Sequence, residues 1–207
     1  MVARLLFLFA RRTTVLRPIM CAVLVATLAT RSQSRGQTMP NTAADSLGRF
    51  PRVEGSNLEG EHFTLPTDFK GELNVVLIAF AREQQRDVDG WMPFLKTIAE
   101  ARSDVRVYEI PTLGRRYRLM RAFINGAMRR GIADQAVRAA TVTLYIDKAP
   151  FRGALNLPDE DRIYVLLVDR EGKVHWRADG RFGAESGAEL MRRVGRVRPN
   201  TGDAGGP

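Results

Sequence analysis

Thiols are almost absent from this chain. Its 207 residues include one cysteine, Cys21, and that one lies in the N-terminal leader. Disulfide exchange begins with a thiolate attacking a sulfur, and a two-cysteine reductase holds its second thiol three positions along to resolve the mixed disulfide. A mature chain without its leader cannot do this, so no redox enzyme is expected. Histidine is nearly as scarce. His62 and His175 are the only two, a poor donor set without thiols, so no metal site is expected. Gly153, Gly172, Gly180 and Gly183 form no phosphate loop, and there is no Gly-x-Ser-x-Gly elbow. No cofactor and no catalytic residue is therefore expected.

Acidic residues are missing from the first 44 positions, which carry Arg4, Arg11, Arg12, Arg17, Arg31 and Arg35. Taking those six from the 32 basic residues leaves 26 against 23 acidic ones, so the formal charge of +9 falls to +3 beyond the leader. A domain so mildly charged is no general nucleic-acid binder. With 44% apolar residues the chain has enough for one sizeable core.

Met1 to Arg17 is basic with apolar patches, and Pro18 to Ala29 is an apolar run of signal-peptide length, short for a bilayer span. Small residues at Ala26 to Thr30 offer a cleavage region. We read an export signal, with Met20 as an alternative start. A mitochondrial transit peptide and an uncleaved signal anchor remain open, because composition does not separate the three. The expected organisation is a leader and linker over 1–46, one domain over 47–195 and a disordered tail over 196–207. The expected location is periplasmic or membrane-associated after export, with the mitochondrial inner membrane as the alternative.

Beyond the leader the periodicities are clear. Asn57 to Pro66 reads as a hairpin alternating around Phe63 and Leu65. Val75 to Ala81 is an unbroken apolar run without helical spacing, as in a strand covered on both faces. Trp91, Phe94, Leu95, Ile98 and Ala101 recur at helical spacing. Val105 to Pro111 alternates as a strand stopped by proline. Tyr117, Met120, Phe123, Ile124, Ala127 and Met128 form an apolar stripe on a long helix whose other side carries arginines. Further strands are expected at 141–147, 163–169 and 174–178, with a tight turn over Asp169 to Lys173 and a closing helix from Gly187 to Val194. Strand, helix, strand, helix, then an antiparallel pair is the thioredoxin-like order, so the expected fold is an α/β, thioredoxin-like three-layer sandwich with a central mixed sheet flanked by helices.

Leu58-x-Gly60 with Thr64-Leu65-Pro66, Gly71-x-x-Asn74-Val75-Val76-Leu77, Phe80, Gln84-Gln85-x-x-Val88-Asp89-x-Trp91, Tyr108-Glu109-Ile110-Pro111 and Leu144-Tyr145-x-Asp147 together resemble the family of the mitochondrial ATP synthase assembly factor called ATP-ten. The resemblance covers roughly Phe50 to Phe182. It implies a thioredoxin fold and, as client, the membrane sector of ATP synthase. The chain is also similar to exported thioredoxin-like reductases, whose Cys-x-x-Cys is followed by Met-Pro. Counting back without gaps from Met92-Pro93 places Gln85 and Val88 where the cysteines would be. The substrate-gripping cis-proline of those reductases would correspond to Ile163. Copper-delivering relatives of the fold use two cysteines and a histidine, a set this chain lacks.

The expected activity is thus binding, by a non-catalytic assembly or chaperone factor for a membrane complex. Gln84, Gln85, Val88, Asp89 and Trp91 are the candidate client surface. Trp91 has two readings, packing against the sheet or anchoring a partner. Arg115, Arg116, Arg118, Arg121, Arg129 and Arg130 are candidates for contact with an anionic membrane surface or an acidic partner. The plainer alternative is a solvated face over a core-facing stripe. Two rival functions stay open: an enzyme using the carboxylates Glu83, Asp87 and Asp89, and an envelope structural protein.

Overall fold

Every residue of Leu73–Ala79 is buried. The computed structural model describes residues 47–197; the expected leader and linker, 1–46, and residues 198–207 of the expected tail lie outside the described residues. Leu73–Ala79 is β3, an interior strand, fifth of the seven in a mixed sheet ordered β2-β1-β5-β4-β3-β6-β7. The other strands are β1 (Val53–Asn57), β2 (His62–Leu65), β4 (Val105–Gly114), β5 (Val142–Ile146), β6 (Tyr164–Asp169) and β7 (Val174–Asp179). The helices are α1 (Gln85–Ala101), α2 (Arg121–Gly131), α3 (Gln135–Ala140), α4 (Lys148–Ala154) and α5 (Ala184–Arg196).

Alternation along the strands divides the core into two layers. Val76, Ile78, Tyr108, Ile110, Leu166 and Val168 face one side, against Phe50, Phe69, Phe151 and Leu155. Val75, Leu77, Val165 and Leu167 face the other, against Val88, Trp91, Leu95 and Ile98 of α1 and Leu190 and Val194 of α5. β4 runs parallel to β3, and β6 runs antiparallel to β3 on its other side. This is the α/β, three-layer thioredoxin-like architecture.

Several elements depart from their expected limits. α1 begins at Gln85, six residues before the helical spacing that starts at Trp91, so Gln85 to Gly90 form its first turns. β4 continues through Pro111 to Gly114, because it leaves β3 there and pairs Thr112–Gly114 with β5. Proline ends one pairing without ending the strand. The hairpin is β1–β2, closed by Asn57, whose side-chain oxygen accepts the backbone N–H groups of Glu59 and Glu61 at 3.1 and 2.8 Å. Arg196, assigned to the tail on composition, is the last residue of α5. The helix α4, capped by the Asp147 side chain, had no counterpart in the periodicity.

The long arginine helix is broken. Arg115–Met120 is a 3-10 stretch, and α2 follows it from Arg121. A change from three to 3.6 residues per turn rotates the expected stripe out of line. Neither stretch buries a residue, so the core-facing reading of Met120 and Phe123 is overturned.

Candidate functional site

The corner where β3 passes into α1 holds most of the expected client surface, and its side chains are largely committed to structure. Gln84 is 6% exposed. Its amide oxygen accepts the backbone N–H groups of Phe80 and Ala81 at 2.7 and 3.3 Å, and its nitrogen donates to the Glu160 carbonyl at 2.7 Å. It closes the strand-to-helix turn against the loop before β6, satisfying backbone groups that otherwise lack partners. Val88 and Trp91 are fully buried. The Trp91 indole N–H donates to the Gly180 carbonyl at 3.0 Å. Its ring meets Trp176 and Phe182 edge-on, at centroid distances of 6.3 and 5.1 Å. Gln84, Val88 and Trp91 therefore do not form an accessible partner surface, because α1 turns Val88 and Trp91 inward and the turn before it holds the Gln84 amide. Gln85 and Asp89 remain at the surface one helical turn apart, joined by a 3.1 Å hydrogen bond from the Gln85 amide.

Glu109 lies beneath that pair on β4, at a position sequence reasoning noted only within a strand motif. Burial pushes its carboxyl up from the ordinary range, a hydrogen bond from Gln85 opposes the shift, and the Asp89 charge adds to it. A carboxylate between the buried Tyr108 and Ile110 of a strand was the signal that could have found it. The carboxylates that were considered do not converge. Asp87 pairs with Arg181 at 3.1 Å, Asp89 bonds Gln85, and Glu83 is exposed.

The second candidate is the basic segment. Its inner side is tied to the sheet by polar contacts. Tyr145 of β5 donates its hydroxyl to the Asn125 side-chain oxygen at 2.8 Å, and Asn125 donates to the Ser56 hydroxyl of β1 at 3.4 Å. Burial raises the Tyr145 hydroxyl to about 12, with nearby Arg121 opposing. Glu59, in the β1–β2 turn, takes both Arg129 of α2, at 3.2 Å, and Arg138 of α3. The Arg138 hydrogen bond holds the Glu59 carboxyl below its usual range against a smaller desolvation. On the outer side, Leu119 is 97% exposed, Met120 52% and Phe123 70%. Arg115, Arg118, Arg121 and Arg130 are exposed beside them and form no ion pair among the described residues. Arg116 stacks over the Tyr117 ring at 5.0 Å.

The histidines take structural positions. His175 Nε2 lies 2.7 Å from Asp169 Oδ2 across the β6–β7 turn, and His62 is exposed on β2. Among the described residues no three His, Cys, Asp or Glu side chains gather as metal ligands.

Many solved structures share this architecture, three of which follow. The thioredoxin domain of a thiol-disulfide oxidoreductase from Bacteroides vulgatus matches with a TM-score of 0.50 and 17% identity, over 72% of this chain and 96% of that one. Copper-bound Sco1 from yeast matches with a TM-score of 0.51 and 12% identity, over 75% and 97%. An Aquifex aeolicus protein described as a putative electron transfer protein matches with a TM-score of 0.51 and 10% identity, over 72% and 91%. At such identities the likeness establishes the thioredoxin-like fold. No known family matches the sequence, and no curated protein does.

Proposed function

We propose that this chain is a non-catalytic, thioredoxin-like binding protein that assists the assembly of a membrane complex outside the cytoplasm or at the mitochondrial inner membrane. The observation that carries this reading is the β3–α1 corner. Gln85 and Val88 stand at the two counted thiol positions, and no cysteine follows Cys21. An edge without thiols retains the ability to bind and loses exchange chemistry. The ATP-ten-like motifs supply the client: a subunit of the ATP synthase membrane sector. Gln85 and Asp89 are the part of the corner that remains exposed to meet it.

The test combines two measurements. The protein lacking its leader should not reduce insulin disulfides above background. A photocrosslinker replacing Gln85 should capture an ATP synthase membrane subunit, and deletion of the gene should lower the amount of assembled complex. Thiol-dependent turnover, or normal assembly in the deletion strain, overturns the reading. The raised Glu109 carboxyl favours a second reading, proton-transfer chemistry at the same corner. A turnover abolished by Glu109→Gln in a folded protein would select it.

A further inference from the structure

We propose that Arg115–Gly131 docks the protein onto an anionic lipid bilayer, with Leu119, Met120 and Phe123 entering the interface and Arg115, Arg118, Arg121 and Arg130 contacting lipid phosphates. No acidic residue occurs between Glu109 and Asp134, while Arg115, Arg116, Arg118, Arg121, Arg129 and Arg130 all fall in that interval. The three large apolar side chains stand out of the fold among these charges. Asn125 and Arg129 hold the opposite side of α2 to β1 and β5 and to Glu59, so the apolar and basic side chains are presented outward on a fixed support.

The pairing of chemistries selects the partner. A nucleic acid would neutralise the arginines but offer no acyl hydrocarbon to Leu119, which is 97% exposed, and an acidic protein groove would need apolar walls that fit all three side chains at once. A bilayer interface supplies phosphate and acyl chain within about 5–10 Å of each other, matching guanidinium groups interleaved with leucine, methionine and phenylalanine. Basic residues near such a surface and buried apolar area add to each other, and the charged part weakens with salt. The inference does not depend on the client proposed above, because this surface is separate from the β3–α1 corner.

The test uses the full chain and vesicles of phosphatidylcholine, with or without phosphatidylglycerol. Phe123→Trp places a reporter at an exposed position, while native Trp91 and Trp176 are buried and contribute a constant background. Its emission should shift to the blue with anionic vesicles and be quenched by brominated lipid, and phosphatidylcholine alone should leave it unchanged. Leu119→Asp with Phe123→Asp should weaken partition onto anionic vesicles by about tenfold or more. Arg118→Glu with Arg121→Glu should weaken binding and flatten its salt dependence. A reporter unmoved by anionic vesicles overturns the proposal, even where the protein cosediments through another segment. Equal response to neutral vesicles overturns the role of charge. Crosslinking of this segment to an acidic protein with no lipid response transfers the surface to that partner class. If the double aspartate variant fails to fold, the reporter measurement still decides.

Discussion

Replacing Trp91 by alanine separates a buried core residue from a surface anchor. Trp91 is fully buried, donates to the Gly180 carbonyl, and packs edge-on against Trp176 and Phe182. Truncation of a buried tryptophan costs about 3–5 kcal/mol through lost burial and the cavity left behind. The Gly180 carbonyl also loses its donor, which adds about 1 kcal/mol unless water replaces it. Against a total stability of about 5–15 kcal/mol this is a large fraction. For a domain of this size the melting temperature should fall by roughly 10 °C or more. Trp91→Phe keeps most of the ring and removes the N–H, and should cost about 1–2 kcal/mol. Urea and thermal unfolding of the three forms, followed by far-ultraviolet circular dichroism, measure the series. A Trp91→Ala protein as stable as the parent would refute the packing account, and loss of client capture in such a protein would restore Trp91 as an anchor.

Glu109→Gln should change how stability responds to pH. Burial favours the neutral carboxyl, so the folded-state pKa lies above the unfolded one and the folded chain holds more protons between them. The parent therefore loses stability as pH rises from the ordinary carboxylate range, about pH 4, through the raised value, and the glutamine variant does not. Urea midpoints that run parallel with pH in both proteins would contradict this. Glu59→Ala removes the shared partner of Arg129 and Arg138, and should speed amide exchange across α2 and α3 while leaving β3 and α1 protected. Unchanged protection in α2 would show that Asn125 and Tyr145 suffice to hold it.

The thioredoxin-like order was legible in the sequence because its signals are local. Val75 to Ala81 is apolar without helical spacing, Leu95 and Ile98 repeat at helical spacing, and Asp169 to Lys173 carries turn residues between two strand-like runs. That no cysteine follows Cys21 is also a property of the sequence alone. The fate of individual side chains was not legible. Helical spacing puts Trp91 on an apolar face, but its burial depends on Gly180, Phe182 and Trp176, nearly ninety residues away. Gln84 looked like part of a polar rim until Glu160 closed over it. The apolar stripe of the arginine segment was read as core because amphipathicity reports that a face is apolar and not what covers it. Tertiary structure decided that question: Ser56 and Tyr145 offered polar partners to Asn125 and Glu59 offered one to Arg129, and Leu119, Met120 and Phe123 were left in water.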